Sequence, residues 1–299
     1  MSKKQKAVLK QIGIHLFLLL VLATVLFPIM WITSLALDPR NIDKPLELRL
    51  IPPGASLDAF RRVLLEPYKL LCRNPTDPST CMTFAKLLKN SLLVAMGTSL
   101  IAVILGASAA YAFSRFQFIG RQAGMLGFIV LLMLPSSATL ATLFVLLSQI
   151  KIGDESLRLT LFGLMLAYGS TTLPFAIWNL KGYFDTVPRE LEEAALIDGA
   201  SMLQTFIRII MPLSVPALAV TVLFAFMAGW TEFILAWTFL ENPSRFTLAM
   251  ALRSMQGQFA TPWSEFAAMS ILMSIPVVLL FFLLQRYLVS GLTVGGVKG

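Results

Sequence analysis

The residues best suited to chemistry in this sequence are acids and small side chains in one stretch between two strongly apolar segments. The stretch reads EEAALIDGASMLQTFIRIIMP and covers residues 192–212. Pro188 suits the first turn of a helix, the glutamates behind it favour the positive end of the helix dipole, and Gly199 ends the run. The pattern predicts a helix over residues 188–198, about 16 Å long. One face of this helix is mostly small, which permits close approach by another protein surface. Its residues are Leu191, Ala194, Ala195 and Asp198.

A second short helix is expected directly after Gly199. Ser201 and Gln204 form an S-x-x-Q capping box, and the apolar residues near it recur on one face, which is expected to lie on the membrane until Pro212. They are Leu203, Phe206, Ile207 and Ile210. A solvated amphipathic hairpin that merely returns the chain to the membrane is the alternative for the whole stretch. The first helix argues against it, because a helix with few large apolar groups is better suited to a groove on a soluble protein.

The sequence offers little for catalysis. No G-x-x-x-x-G-K-[ST] phosphate loop occurs, and the C-terminal GLTVGGVKG only imitates one, because Lys298 is followed by Gly299. There is no nucleophile elbow and no cluster of carboxylates in the apolar segments. Two cysteines and one histidine cannot complete a four-ligand metal site. We therefore expect a chain that is not an enzyme by itself and that binds neither nucleotide nor metal.

The two cysteines lie close together in one polar segment. Cys72 and Cys81 enclose LCRNPTDPSTC, in which two prolines favour a turn. If this segment lies outside the cytoplasmic membrane, an oxidising compartment allows a disulfide that closes the turn. Two reduced and unrelated thiols are the alternative.

Composition indicates that membrane helices must position these residues. Of the 299 residues, 57% are hydrophobic and 13% are charged, and the mean hydropathy of +0.78 differs from that of a soluble domain. The net charge of +8 does not indicate nucleic-acid binding, because the basic residues are scattered through loops. The first apolar run is too long for a cleaved signal, so we expect it to be retained. Six segments reach the roughly 20 residues of a spanning helix: 12–37, 91–113, 123–147, 159–180, 213–240 and 266–287.

The distribution of Lys and Arg predicts that both termini are cytoplasmic. In that orientation the cytoplasmic segments carry eleven basic residues and the short outer loops carry four. The first outer loop opposes this with nine, but it also holds six acids and resembles a small folded element. The expected organisation is a cytoplasmic N-terminus with the first helix (1–37), an extracytoplasmic loop (38–89), a five-helix core (90–290) with a cytoplasmic loop at 181–211, and a tail (291–299).

Few polar side chains lie inside the predicted spans. Glu232 is the acid found there, in GWTEF, and it either lines a pathway or reaches the membrane interface. An ion-driven secondary transporter needs ionisable groups near the midplane, and the sequence supplies few. Other polar groups of the fourth span either face a solute or bond to neighbouring helices. They are Tyr168, Ser170, Thr171, Thr172 and Asn179.

Small residues and prolines recur within the spans. Small residues four apart allow helix backbones to approach closely in lipid, either for sliding or for static packing. They are Ala102, Gly106 and Ala110 in the second span, and Gly163 and Ala167 in the fourth. Prolines inside helices remove a backbone hydrogen bond and are expected to bend them. They are Pro28, Pro135, Pro174 and Pro276.

The acidic stretch also matches a known motif. Its fixed positions are Glu193, Ala194, Ala195, Gly199, Ile209, Met211 and Pro212. This spacing resembles the EAA motif of ATP-binding-cassette (ABC) importer permeases, EAA-x3-G-x9-I-x-L-P, with a methionine of similar volume in place of leucine. KNSLLVA, AYAFSRFQFIG, WNLKGYFDTVPRELEEAA and QRYLVSGLTVGGVKG extend the likeness over nearly the whole chain. Together they are most similar to the MalG-like permeases of the carbohydrate branch. Residues 181–211 are called the EAA loop below.

The resemblance implies an all-α membrane protein with six transmembrane helices and the type I ABC importer fold, in the inner membrane of a prokaryote. It implies four kinds of partner: a MalF-like second permease, two MalK-like ATPase subunits that bind ATP and Mg, an extracytoplasmic sugar-binding protein, and membrane lipid. The expected function is import of a maltose-type sugar or oligosaccharide. A permease for a non-sugar solute and an ion-driven secondary transporter are the alternatives.

The resemblance also implies roles for two segments. The first helix of the EAA loop becomes a coupling helix in a cleft of the ATPase, with Glu193 facing a cation there. The tail, with Gly295, Gly296 and Lys298, reaches toward the ATPase. The tail is too rich in glycine to continue the sixth helix, and a frayed terminus is the alternative to an ATPase contact.

Overall fold

α-Helices make up almost all of the regular structure, as the apolar runs predicted. The computed structural model describes residues 3–42, 49–72, 74, 77, 81–257 and 261–295. The backbone divides into two compact units, Met1–Pro67 with Ser254–Ile275 and Tyr68–Arg253 with Pro276–Gly299.

The helices of the described residues are α1 (Lys3–Leu37), α2 (Asp58–Leu65), α3 (Phe84–Arg115), α4 (Arg121–Met133), α5 (Ser136–Gln149), α6 (Leu161–Phe184), α7 (Glu190–Ile197), α8 (Met202–Thr205), α9 (Met211–Leu213), α10 (Val215–Thr231), α11 (Ile234–Phe239), α12 (Leu248–Ser254) and α13 (Trp263–Gly295). A π-helical turn, Phe206–Ile210, joins α8 to α9. Single 3₁₀ turns occur at Leu157–Leu159 and Pro243–Arg245. The strands are β1 (Tyr68–Cys72), β2 (Cys81–Met82), β3 (Lys151–Ile152) and β4 (Glu155–Ser156).

The number of membrane spans among the described residues lies between four and six. Four helices are long and apolar enough to cross a bilayer: Lys10–Leu37, Phe84–Arg115, Leu161–Phe184 and Trp263–Leu288. Two further spans are possible as bent pairs: Arg121–Met133 with Ala138–Gln149, bent by 107°, and Met202–Leu213 with Val215–Thr231, bent by 80°. The six predicted spans are reached if each bent pair counts as one.

The third predicted span is broken where proline occurs. Leu134 has an extended ψ of 134°, and Pro135 stands at the N-cap of α5. The proline ring disfavours the helical conformation of the residue before it, so the chain ends one helix and starts another. The prolines at 28, 174 and 276 lie inside continuous helices instead.

Three other helix boundaries differ from the predicted ones. α10 ends at Thr231 and the chain continues as the short α11, so the predicted span 213–240 is not one helix. α6 runs on to Phe184, so Lys181 and Gly182, predicted in the EAA loop, belong to its last turn. α13 runs on to Gly295, and the prediction that the tail stops the helix near residue 291 is wrong. An isolated glycine costs a helix only about 1 kcal/mol, which an apolar run readily offsets.

Small residues bring α3, α6 and α10 together in the second unit. Ala102, Ala176 and Ala225 form one buried cluster, one residue from each helix. A Cβ on Gly106 would lie 2.9 Å from the Ala176 Cβ, so glycine permits this approach of α3 to α6. The small triplet predicted on the second span therefore packs between helices. Gly163 does not serve such packing, because its Cβ would lie 2.0 Å from the Leu157 carbonyl oxygen in the preceding turn.

Two small antiparallel sheets complete the second unit. β1 pairs with β2, with Cys72 opposite Cys81, and the two cysteines form a disulfide. β3 pairs with β4 around Gly153, whose φ is 62°. In the first unit most of α1 is exposed and apolar, and an ion pair of 2.7 Å joins Arg62 of α2 to Glu265 at the start of α13.

Candidate functional site

The first helix of the EAA loop is built by local signals at both ends. α7 spans Glu190–Ile197, shorter than the predicted 188–198, and carries three glutamates in its first turn. At its end the Ala200 N–H donates to the Ala195 carbonyl at 2.9 Å, and the Gly199 N–H donates to the Leu196 carbonyl at 3.1 Å. This is the Schellman arrangement, which requires positive φ at the second residue after the helix. Gly199 has a φ of 86°, so a left-handed residue ends α7.

The outer side of α7 is acidic, small and partly apolar. Glu193 and Ala194 are exposed, and so is Ile197 at 86% of its surface. The predicted small face is divided, because Ala195 is buried whereas Leu191 and Ala194 are exposed. Three of the four residues of the predicted face are therefore exposed, Asp198 among them, and Ala195 is the one that faces inward.

The capping box predicted after Gly199 is confirmed. Gln204 N–H donates to Ser201 Oγ at 3.3 Å, and Ser201 N–H donates to Gln204 Oε1 at 2.8 Å. The helix it starts widens into the π turn Phe206–Ile210 before Pro212. Pro212 has no N–H and cannot donate a hydrogen bond to the carbonyl four residues before it. The loss of this bond favours a departure from α-helical geometry at this point. Ile209 is partly buried and Ile210 is fully buried, whereas Leu203 and Ile207 are exposed.

The inner side of α7 is joined to the end of α3 by a buried ion pair. Glu192 is buried, and its Oε1 accepts a hydrogen bond from Arg115 Nε. Its Oε2 accepts from the Tyr111 hydroxyl at 2.7 Å. Arg115 Nη2 also donates to the Val187 carbonyl at 3.0 Å. Both carboxylate oxygens of Glu192 are therefore satisfied by the last turns of α3.

A second polar link lies beside the first. The Ser114 hydroxyl donates to Asp185 Oδ1 at 2.6 Å, and Lys181 Nζ donates to Asp185 Oδ2 at 2.5 Å. Burial raises the pKa of the Asp185 carboxyl, but the hydrogen bonds from Lys181 and Ser114 and the positive charges of Lys181 and Arg115 together leave this pKa below its ordinary value. Asp185 is thus held ionised where the chain leaves α6.

Aromatic packing fills the space between these links. The Tyr111 ring lies 4.8 Å from Phe206 and 6.4 Å from Phe184, measured between centroids. The three rings belong to α3, the π turn and the end of α6. The EAA loop is therefore seated on a hydrophobic base as well as on polar contacts.

The predicted pathway residues do not converge on one point. The Tyr168 hydroxyl donates to Glu232 Oε2 at 2.6 Å, and Glu232 Oε1 accepts from the Ile234 N–H at 2.7 Å. Asn179 Nδ2 donates to the Ala217 carbonyl and to Thr221 Oγ1, both at 3.1 Å, and so joins α6 to α10. Thr172 differs from these because it borders a cavity.

The cavity lies between α6 and α10 and has a volume of about 200 Å³. Threonines at 171, 172 and 221 supply its polar edges, and Phe175 and Phe224 supply aromatic walls. The Thr172 hydroxyl donates to the Gly169 carbonyl of its own helix at 3.0 Å, which leaves its oxygen lone pairs for another donor. The cavity offers a small, mostly apolar site with a few hydroxyls.

Comparison with known proteins shows which family the chain belongs to. Residues 102–294 match the family described as "Binding-protein-dependent transport system inner membrane component". The chain belongs to this family. It is therefore a multi-pass inner-membrane permease subunit of a binding-protein-dependent transport system.

Relatives align with nearly the full length of the permease. The maltodextrin transport system permease protein MdxG of Bacillus subtilis is 34% identical over 304 aligned positions, which cover 100% of both chains. The trehalose/maltose transport system permease protein MalG of Thermococcus litoralis is 34% identical and covers 99% of both chains. A bacterial ABC transporter involved in alginate import shares the fold, with a TM-score of 0.72 at 20% identity over 96% of this permease and 98% of that chain.

Sequence reasoning missed the residues that anchor α7. It assigned Glu193 a role and passed over its neighbour Glu192, which the structure buries against Tyr111 and Arg115. One signal was available: Tyr111 and Arg115 are four residues apart at the end of a span, so they share a helix face that needs a polar partner. In the tail, Gly296 and Lys298 lie outside the described residues, and Gly295 is the last residue of α13.

Proposed function

We propose that the permease is one of two membrane subunits of an ATP-driven sugar importer and forms half of its translocation pathway. The relatives named for maltodextrin and trehalose/maltose transport align with almost all of the chain, which supports a sugar of this type. The other components in this proposal are a MalF-like permease, two MalK-like ATPase subunits and an extracytoplasmic sugar-binding protein. ATP and Mg bind the ATPase subunits, and this chain binds no cofactor of its own.

The observation that carries the proposal is the way α7 is presented. Its outer side exposes Glu193, Ala194 and Ile197, while Glu192 holds the inner side against α3. A short helix with a fixed base and a small outer face suits docking in a cleft of a soluble subunit. In this proposal the EAA loop is cytoplasmic, and Glu193 faces a cation of the ATPase.

Other motif residues shape this docking element. Ala194 and Ala195 have small side chains, which permit close approach by another surface. Gly199 ends the helix with the positive φ that the Schellman turn needs. Ile209 and Pro212 direct the chain into α10. The tail residues Gly295, Gly296 and Lys298 make a second ATPase contact in this proposal. α13 remains helical to Gly295 and so extends past the end of its apolar span at Leu288.

The sugar pathway is proposed to run along the cavity between α6 and α10. Thr172 borders it directly, and the aromatic walls suit the apolar faces of sugar rings. Tyr168, Asn179 and Glu232 hold the surrounding helices through the hydrogen bonds described above. ATP binding in the partner shifts this pathway between inward-open and outward-open states only if the two ATPase states hold α7 differently.

Reconstitution tests the proposal. The permease is purified with the second permease and ATPase subunits that its host supplies, placed in proteoliposomes, and given the cognate binding protein. We expect uptake of a maltodextrin when ATP is enclosed, no uptake without ATP, and no change when a protonophore collapses the proton gradient. Uptake that follows the proton gradient at constant ATP would favour a secondary transporter. A binding protein that holds an amino acid instead of a sugar would favour a non-sugar permease.

A further inference from the structure

We propose that Glu192 and Arg115 are positioning residues for energy coupling. The pair makes α7 and the adjoining end of α3 move as one body, so that a displacement of α7 by the ATPase becomes a displacement of α3. This inference rests on the proposed function, because it assigns the route by which that function's driving force reaches the membrane helices.

The pair is more buried than five other ion pairs of the described residues. The Arg115 and Glu192 side chains are 8% and 9% exposed, whereas each of those five pairs has a partner with at least 39% exposure. Exposed pairs exchange with water at little cost, but a buried charge that loses its partner is strongly unfavourable. Separation of α7 from α3 is therefore opposed far more strongly at this pair than at an exposed one.

The geometry also resists sliding and rotation. Arg115 directs Nε to Glu192, Nη1 to Ser114 Oγ at 3.1 Å and Nη2 to the Val187 carbonyl at 3.0 Å. Tyr111 occupies the second oxygen of Glu192 at 2.7 Å. Rotation of α7 about its axis would break the two directional bonds to Glu192 together, while the bond to Val187 ties Arg115 to the segment just before α7. Such a contact transmits both the position and the orientation of α7.

α3 is in turn packed closely against the remaining core helices. Gly106 lets it approach Ala176 of α6, as described above. A Cβ on Gly229 of α10 would lie 2.9 Å from the Ala95 Cα of α3. At these contacts backbones and single methyl groups meet directly. No flexible side chain lies between the helices to absorb a relative movement. A movement imposed at Arg115 therefore reaches α6 and α10, which border the cavity.

Adjacent glutamates then have separable tasks. Glu193 is exposed and meets the ATPase in the proposed function, whereas Glu192 is buried and meets α3. Loss of Glu193 should weaken ATPase retention. Loss of Glu192 should leave the ATPase bound and reduce the sugar transported for each ATP hydrolysed.

The experiment measures three quantities for the full complex in proteoliposomes: ATPase retained after affinity purification, ATP hydrolysed, and maltodextrin imported. The variants are Glu192→Gln, Glu193→Gln and the apolar double variant Arg115→Met with Glu192→Met. Glu190→Gln, on the same helix and exposed, is the matched control. The double variant leaves no unpaired buried charge, and apolar replacement of a buried pair is commonly neutral for folding.

We expect Glu192→Gln and the double variant to retain the ATPase while imported sugar per ATP falls about 5-fold or more, the lower range of allosteric coupling effects. A wild-type ratio in the double variant would overturn the inference, because the pair would then be structural only. Loss of ATPase from the double variant would overturn it too, since the pair would then merely build the docking surface. A wild-type complex that imports no sugar with ATP contradicts the proposed function instead.

Discussion

The Tyr168 hydroxyl donates a hydrogen bond of 2.6 Å to Glu232 Oε2 and so connects α6 to the gap between α10 and α11. The other oxygen of Glu232 accepts from the Ile234 N–H at 2.7 Å and from the Leu235 N–H at 3.2 Å. The acid found inside a predicted span therefore supplies the cap of a short helix. Its position follows from the first N–H groups of α11, which need an acceptor because no carbonyl of the helix precedes them.

Removal of this cap should lower stability more than it alters solute binding. We expect Glu232→Ala to cost about 1 kcal/mol, as for other helix caps, and Tyr168→Phe to cost a similar amount through one lost hydrogen bond. Both variants should lower the thermal midpoint of the purified complex with little change in the KM of uptake. Tyr183→Phe is the control, since its exposed hydroxyl bonds the Leu213 carbonyl at 3.2 Å. Thr172→Val should do the reverse, raising KM at unchanged stability. A large KM change for Tyr168→Phe would assign that hydroxyl to the solute.

Gly199→Trp should disconnect the ATPase while leaving the membrane helices inserted. The residue has a φ of 86°, which side chains with a Cβ rarely adopt, and open space surrounds its Cβ position. Strain therefore falls on the end of α7 and not on the membrane core. The measurements are uptake and ATPase retention.

Gly120→Trp is the matched control for this variant. Gly120 has a φ of 87° and equally open surroundings, but it lies outside the motif. Gly182 is a poorer control, because the structure assigns it to the last turn of α6. Normal uptake with full ATPase retention in Gly199→Trp would count against the coupling assignment. Equal losses in both variants would attribute them to strain alone.

The disulfide between Cys72 and Cys81 should be detectable in intact cells. An impermeant thiol reagent is expected to label the permease in spheroplasts only after reduction, because the segment faces outward in the proposed orientation. Labelling that requires permeabilised membranes would reverse the orientation. Ready labelling without reductant would remove the disulfide and leave the orientation intact. A Cys72→Ser, Cys81→Ser variant is the unlabelled control.

The Asp185 link should persist at mildly acidic pH. Its folded-state pKa lies below the ordinary value of an aspartate, so its stabilisation is fully present above that ordinary value and is lost only as pH falls through the depressed pKa. We expect limited proteolysis of the EAA loop to proceed at an unchanged rate between about pH 5 and pH 8, apart from the protease's own dependence. Asp185→Asn should raise the rate equally across that range. A rise confined to the acid end in the wild-type protein would contradict the depressed pKa.

Local signals in the sequence predicted local structure well. The apolar runs mark most long helices, and Ser201, Gln204 and Gly199 mark the ends of short ones because capping depends on neighbours within a few residues. The features that the sequence did not predict depend on residues that are far away in the chain. The burial of Glu192 depends on Arg115, 77 residues earlier in the chain, and no periodicity in the EAA loop carries that information. The sequence predicted that Pro135 disturbs the third span, but it did not predict that the helix ends there. Proline either bends or ends a helix, and the outcome depends on its neighbours.

α3 is held at its two ends by different chemistry. It is a rod of 32 residues, about 48 Å long, whose first turn follows the disulfide strand and whose last turn carries Arg115. A reductant acts on the first end only, while the buried ion pair at the other end is shielded from salt that would screen exposed charges. In the proposed orientation the two ends of α3 face different compartments, so a reductant outside the membrane acts on the disulfide and leaves the ion pair intact. The covalent end is held by the disulfide, whereas the ionic end is held because separating its buried charges is strongly unfavourable.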